Sequence, residues 1–384
     1  METPGSVPEA PVNAVTGIAG RERVRAFDLA AGLAVFFMIL VHVLWHWGTP
    51  DTWTTPIGEA ISYAAGPTAT PVFLFLIGAS FGAARGSSAG TLAARGLWLF
   101  ALGYLLNLLR GVIPVTLGTA TGVITEEQVA PYTPWWLGTT IDLHHVVGLS
   151  VVVIAVLRMR VQPGWPWLAL AGALVVVAPW LRTVTFGTPV LDAPLTPFLG
   201  SAQNVYYAVV PWLAYPLAGA VFGSMMARST DRSALFRRGA IVGAVLLLIG
   251  GVMIAVQRPS FDVFTYWRQP ASFAVAIVGI ILVWIALCDL ATRRRWIDRW
   301  FGFLYRWSDR VIAIYFTHWI IVGWGVGLVG FRALPLGQVL VAMAVAVVAT
   351  SYLSRVAVKL ESSWWIRRGP SRGPSEVAVE VPAA

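Results

Sequence analysis

Ten apolar runs divide the basic residues of this chain into two unequal sets. The runs cover residues 27–47, 62–84, 92–115, 137–159, 165–181, 205–227, 239–257, 271–291, 310–330 and 335–357. Each is about as long as the ~20 residues a helix needs to cross a bilayer. The N-terminal segment, the even-numbered connections and the C-terminal segment together hold 22 of the 27 Lys and Arg residues. The odd-numbered connections receive only Arg110, Arg182, Arg258, Arg268 and Arg332. Lys and Arg accumulate on the cytoplasmic side of membrane proteins, so both termini are expected inside. A single missed span would scramble this alternation. The sequence therefore predicts an all-α polytopic membrane protein of about ten transmembrane helices.

Composition agrees, with 57% hydrophobic and only 12% charged residues, which does not describe a soluble domain. Many of the 19 tryptophans, including Trp45, Trp47, Trp135, Trp136, Trp165 and Trp167, fall near run ends, where amphipathic rings favour the headgroup level. A net charge of +9 would point to nucleic acid in a soluble chain. Here it follows topology, so anionic lipid is the expected partner and nucleic acid is not. The single cysteine, Cys288, lies in an apolar run and excludes an intramolecular disulfide. No cleavable signal peptide is apparent, and multi-pass residence in the plasma (inner) membrane is expected.

The domain organisation reads as a polar tail over 1–20, a membrane domain over 21–366 and a second tail over 367–384, both tails expected to be disordered. The longest connection, about 116–136, lies on the outer side and carries Glu126 and Glu127. No internal repeat is visible. Nor is a matching pair of Gly/Pro-interrupted runs, which weighs against an inverted-repeat transporter.

Chemistry is sought among ionisable residues inside the runs, because hydrocarbon tolerates them only when paired or wet. These are Asp28, His42, His46, Asp142, His144, His145, Asp289 and His318, and they include every histidine of the chain. His42 lies fifteen residues past Phe27, hence ~22 Å from the inner end of its run. His318 is near the middle of its run, and Asp142, His144 and His145 are in the outer third of theirs. The histidines are biased outward and the arginines inward. Histidine is the natural general base near neutral pH. The plainer reading of any one of them is a hydrogen bond to a neighbouring helix.

Asp142 is spaced to orient His145, three residues on and on the same helical face. His144 and His145 point in different directions, so at most one shares that site. His42 and His46, at i and i+4, also have a spacing that suits a metal or haem. No Cys or carboxylate lies near them in sequence, and no metal is expected. The inner arginines Arg293, Arg294, Arg295, Arg306 and Arg310 are able to clamp phosphate. Positive-inside anchoring explains them equally well.

Four motifs in order carry a family resemblance. The first run reads Arg25-Ala26-Phe27-Asp28-Leu29-Ala30-Ala31-Gly32-Leu33 and continues to His42. The second contains Phe73-Leu74-Phe75-Leu76-Ile77-Gly78-Ala79-Ser80. Asp142-Leu143-His144-His145-Val146-Val147-Gly148-Leu149 follows, and Tyr315-Phe316-Thr317-His318 comes late. Together they resemble the transmembrane acyltransferase superfamily, in particular its heparan-α-glucosaminide N-acetyltransferase-like branch and bacterial relatives. The resemblance implies an acyl donor, acyl-CoA and specifically acetyl-CoA, at the cytoplasmic side. It also implies an extracytoplasmic acceptor such as a sugar or envelope molecule.

On that resemblance His42 matches the His or Asn closing the first segment, and His318 the late histidine. His42 or His318 is then the expected base, with Asp142 and His145 in support, and Arg25, Arg306 and Arg310 are expected to hold the donor. One position departs from the pattern. The family's arginine in Asp-x-x-Arg-Gly is Ala31 here, and Arg25 is the candidate substitute. A transporter with a histidine proton relay is the rival reading, followed by a metal- or haem-binding membrane protein.

Overall fold

The computed structural model describes residues 24–83 and 88–368, except for the side chains of residue 189 and of 360–368. The tails over 1–20 and 369–384 lie outside the described residues, as do Arg21, Arg23 and Arg85. The described chain is helical, and its only β-type pairings are the isolated bridges of Gly48 with Leu334 and Ile141 with Val205. In order, the helices are α1 (Arg25–Trp47), α2 (Pro56–Thr68), α3 (Thr70–Ala83), α4 (Ala89–Asn107) and α5 (Ile113–Ala120). There follow α6 (Leu143–Arg158), α7 (Trp165–Leu181), α8 (Ala214–Arg228), α9 (Arg232–Gln257) and α10 (Ala271–Thr292). The last three are α11 (Arg295–Ser308), α12 (Val311–Val329) and α13 (Leu336–Arg368). Short helices, among them Pro50–Trp53 and Pro134–Thr139, lie in the connections.

Among the described residues, 8 helical stretches are long and apolar enough to cross a membrane. Two shorter apolar helices, α6 and α7 with 16 and 17 residues, stand where the fourth and fifth apolar runs fall in sequence. This is an all-α polytopic membrane protein. The outward surface fits hydrocarbon: α9 exposes Ile241, Val245, Leu248 and Val252, and only 11% of its apolar window is buried. Such a helix is stable only when lipid covers that face.

Several boundaries differ from the sequence reading, each for a local reason. The fourth run was expected to begin at 137, but α6 starts at Leu143, where the Asp142 carboxylate accepts the Leu143 N–H at 2.7 Å and fixes the helix start. The connection over 293–310 is largely the helix α11, whose buried Ile297, Leu304 and Trp307 share one face while Trp296 and Trp300 are exposed. That spacing is an amphipathic helix, not a loop.

Two spans are also interrupted by proline-associated breaks that the sequence reading did not name. Ala69 leaves helical geometry between α2 and α3, and Val210 is extended ahead of Pro211 before α8. These broken spans pack on each other. α3 offers Gly78 and Gly82, α8 offers Gly219 and Gly223, and a Cβ at any of the four would collide with the facing backbone. Two small-xxx-small stripes thus let the two backbones touch, a common way for helices to associate in lipid.

The bundle has two unlike ends. At one, the basic face, lie Arg25 at the start of α1, Arg158 at the end of α6, Arg228 at the end of α8 and α11 with its arginines. The opposite, loop face carries the long connection from α5 to α6 and the segment joining α12 to α13.

Candidate active site

α1 and α12 lie side by side and bring two histidines together. His42 Nδ1 is 3.0 Å from His318 Nε2, and the rings stack with 5.3 Å between centroids. Their protons can be assigned from their partners. His318 Nδ1 lies 3.1 Å from the carbonyl of Ile314, which can only accept, so Nδ1 carries the proton. His318 Nε2 is then an acceptor, and His42 Nδ1 must donate to it. The lone pair of neutral His42 is therefore on Nε2. The Trp319 ring covers His42 at 4.0 Å. His46 Nδ1 is engaged in the same way with the His42 carbonyl at 2.9 Å.

A buried ion pair stands beside this couple. After α4 the chain makes one π-helical turn, Leu108–Val112, before α5. The wider turn inserts an extra residue and is a recurrent device at functional sites. Arg110 projects from it to pair with the Asp142 carboxylate. Arg110 also donates to Asn107 Oδ1 at 3.1 Å and lies 4.1 Å over the Trp319 ring. Asn107 in turn donates to the Thr140 carbonyl at 2.7 Å. Gly323 on α12 admits the π turn, since a Cβ there would strike the Arg110 carbonyl. A pair so deeply buried is held only because both charges are matched and hydrogen-bonded.

Two cavities approach this layer from opposite faces. The first, of about 120 Å³, runs from Asp28, Ala31 and Ser308 at the basic face to His144 and Tyr315. Its walls are apolar, formed by residues such as Phe73, Leu76, Ile77, Val147 and Ile312. The second, of about 370 Å³, opens from Tyr132, Phe331 and Arg332 at the loop face. It reaches His42, His46, Asp142, Arg110 and Trp319, and aromatic rings dominate its walls. Between them stand packed rings, His144 tilted on Tyr315 at 4.5 Å and Tyr315 edge-on to His318 at 5.3 Å between centroids. His318 couples directly to His42. The partition is thus about two side chains thick.

The family model for the heparan-alpha-glucosaminide N-acetyltransferase catalytic domain matches residues 23–256. The chain belongs to that family. Its members are membrane acetyltransferases. The matched region contains His42, Ala31, Arg110, Asp142 and His144, while His318 and Arg332 lie beyond it. No curated protein matches the chain.

The structure sorts the residues singled out from the sequence. His42, His318 and Asp142 meet in one layer. His145 does not join them: its Nδ1 accepts the Asp142 backbone N–H at 3.0 Å, and its ring lies against Gly103, Phe100 and Tyr104 on α4. The Asp142 carboxylate serves Arg110 instead. His144, the other member of the adjacent pair, is the one that faces the site, with Nδ1 buried and lacking a hydrogen-bond partner.

Among the arginines, Arg25 is paired with Asp298 and lies 5.3 Å over the Tyr305 ring. Arg310 donates to the Arg306 carbonyl at 3.3 Å and senses the charges of Arg355 and Arg306. Arg310 adjoins Ser308 and Val311, which line the first cavity, so a cationic cluster stands near the mouth of that cavity.

Sequence reasoning gave no site role to Arg110, Asn107 or Tyr315, and of the His144–His145 pair it put His145 at the site. Arg110 was assigned to a connection although it lies within the apolar run 92–115. An arginine inside a run, with an aspartate at similar depth on the next, was the available signal for a buried pair.

Proposed function

We propose that the chain transfers an acyl group, acetyl in keeping with its family, from acyl-CoA at the basic face to an acceptor in the aromatic vestibule. The basic face is cytoplasmic in this reading and the vestibule extracytoplasmic. The observation that carries it is the pair of opposed cavities meeting at the His144–Tyr315–His318–His42 layer. The narrow apolar cavity suits a thin, uncharged arm bearing a thioester. The Arg306–Arg310–Arg355 cluster at its mouth suits the phosphates that remain in the aqueous phase. The wide aromatic vestibule suits a sugar or another bulky hydroxyl- or amine-bearing acceptor.

Chemistry follows from the tautomers. The acceptor oxygen or nitrogen attacks the thioester carbonyl while His42 Nε2 takes its proton. The carbon–sulfur bond breaks, the acyl–acceptor bond forms, and the proton on His42 returns to the CoA thiolate. His318 holds the His42 ring through Nδ1 and stabilises its orientation in both charge states. Asp142 lines the same wall as a matched pair with Arg110. Direct transfer requires the Tyr315 and His144 rings that separate the two cavities to swing aside, so that the thioester reaches the acceptor beside His42.

The test is release of free CoA by the full chain in liposomes, with acetyl-CoA on one side and amino sugars or glycans on the other. Acceptor-dependent CoA release that His42→Ala abolishes supports the reading. A substrate gradient that collapses without CoA release would favour the transporter instead.

A further inference from the structure

His46 lies one helical turn beyond His42 on α1, and both rings line the vestibule. At i and i+4 they share one helix face, with 6.1 Å between centroids and the planes nearly perpendicular. His46 Nδ1 is 2.9 Å from the His42 carbonyl, which can only accept, so in the neutral ring Nδ1 carries the proton. The lone pair of His46 is then on Nε2, as it is in His42. Among the described residues, neither Nε2 has a hydrogen-bond partner.

The surroundings hold the His46 ring and offer it no donor. It stands perpendicular to the Trp319 ring at 5.4 Å between centroids, and the Phe331 ring meets it at 6.5 Å. The polar groups deeper in the vestibule are already engaged. Arg110 and Asp142 match each other, and the Asn107 amide spends its oxygen on Arg110 and its nitrogen on the Thr140 carbonyl. The α1 wall therefore offers a ligand two hydrogen-bond acceptors, a single turn apart. A lone pair facing a cavity costs binding energy whenever a ligand displaces its water without replacing the hydrogen bond.

We infer that His46 is a specificity-determining residue of the vestibule, whose Nε2 accepts a hydrogen bond from a second hydroxyl or amine of the acceptor, beside the group that His42 deprotonates. This deepens the acyl-transfer reading and rests on it for the role of His42. The chemistry that fits is a vicinal amino alcohol or diol, whose two donors are close enough to reach both nitrogens at once. A molecule with one donor satisfies His42 and leaves His46 bare. His46 takes no proton in the reaction. It fixes which of the acceptor's groups is presented to His42.

The test compares acceptors that differ by that one group: glucosamine against 3-deoxyglucosamine, and trans-2-aminocyclohexanol against cyclohexylamine. CoA release by the full chain in liposomes, with acetyl-CoA as donor, gives kcat/KM for each. Equilibrium binding to the detergent-purified full chain, without acyl donor, gives the affinity for each. The wild type should prefer the two-donor member of each pair by roughly tenfold in both measurements, because the analogue leaves His46 Nε2 unmet. His46→Phe keeps a ring against Trp319 and Phe331 but removes the lone pair, so the ratio should fall toward one. A merely structural role would lower both members of a pair together and leave the ratio standing. His46→Gln, whose amide oxygen can accept, should restore part of it. A wild-type ratio near one, a ratio that survives in His46→Phe, or failure of both two-donor compounds to bind overturns the inference. Selective binding without CoA release keeps His46 as the ligand contact and removes only the acyl-transfer reading. CoA release without selectivity removes only the role of His46.

Discussion

His42 Nδ1 and His318 Nε2 are 3.0 Å apart, and the contact gives the two histidines unequal roles. His318 spends one nitrogen on the Ile314 carbonyl and the other on His42. It has no lone pair left for a substrate. His42, which lines the vestibule, keeps Nε2 free.

His42→Ala should therefore lower acyl transfer by the full general-base factor, about 10²–10⁴-fold, with the protein still inserted and monodisperse. His318→Ala should cost less, and His318→Gln should recover part of that loss, because a glutamine amide oxygen can still accept the His42 Nδ1–H. The measurement is CoA release per mole of folded protein. Larger losses in His318→Gln than in His42→Ala would reverse the assignment.

The Arg110–Asp142 pair carries a stability signature distinct from catalysis. Removing one partner leaves a buried uncompensated charge, so Asp142→Ala or Arg110→Leu alone should destabilise the protein by about 3–5 kcal/mol. The double substitution should be markedly less harmful than the sum of the two. Thermal unfolding of the four proteins in one detergent gives the coupling directly. Additive effects would mean that the pair is not a unit.

Much of the fold was legible because span length and arginine distribution are properties of sequence alone. The same arithmetic took Arg110 for a connection residue, since counting charges by loop ignores one that is paired inside. The histidines His42 and His318 were found by type and depth, and their meeting follows from α1 and α12 being neighbours, which no local pattern encodes. The choice between His144 and His145 hung on the start of α6. Capping at Asp142 turns the His145 ring back toward the Asp142 N–H and sends His144 to the site.

Orientation can be read with reporters. A reporter at the C-terminus should behave as cytoplasmic, and one inserted at Thr121, in the exposed turn after α5, as extracytoplasmic. An external C-terminus would place the cationic cluster and the narrow cavity on the wrong side for cytoplasmic acyl-CoA.

Ala31 tests the donor cavity. It lines the narrow cavity within one turn of Asp28, which accepts the Ser308 hydroxyl at 3.0 Å, and the resemblance places an arginine at this position. Ala31→Phe places a ring in a space of about 120 Å³ and should raise the KM for acyl-CoA by about tenfold or more. Sugar binding in the vestibule should be untouched, since the two cavities share no lining residue. Ala31→Arg is as bulky but brings a cation beside Asp28 and near the donor's path. It should tighten acyl-CoA binding, as expected if the arginine has been lost from an otherwise intact donor site. Direct titration with CoA and acetyl-CoA distinguishes the two substitutions. Opposite shifts identify position 31 as a donor contact, equal losses reduce its role to volume, and no change in either removes the narrow cavity from the donor path.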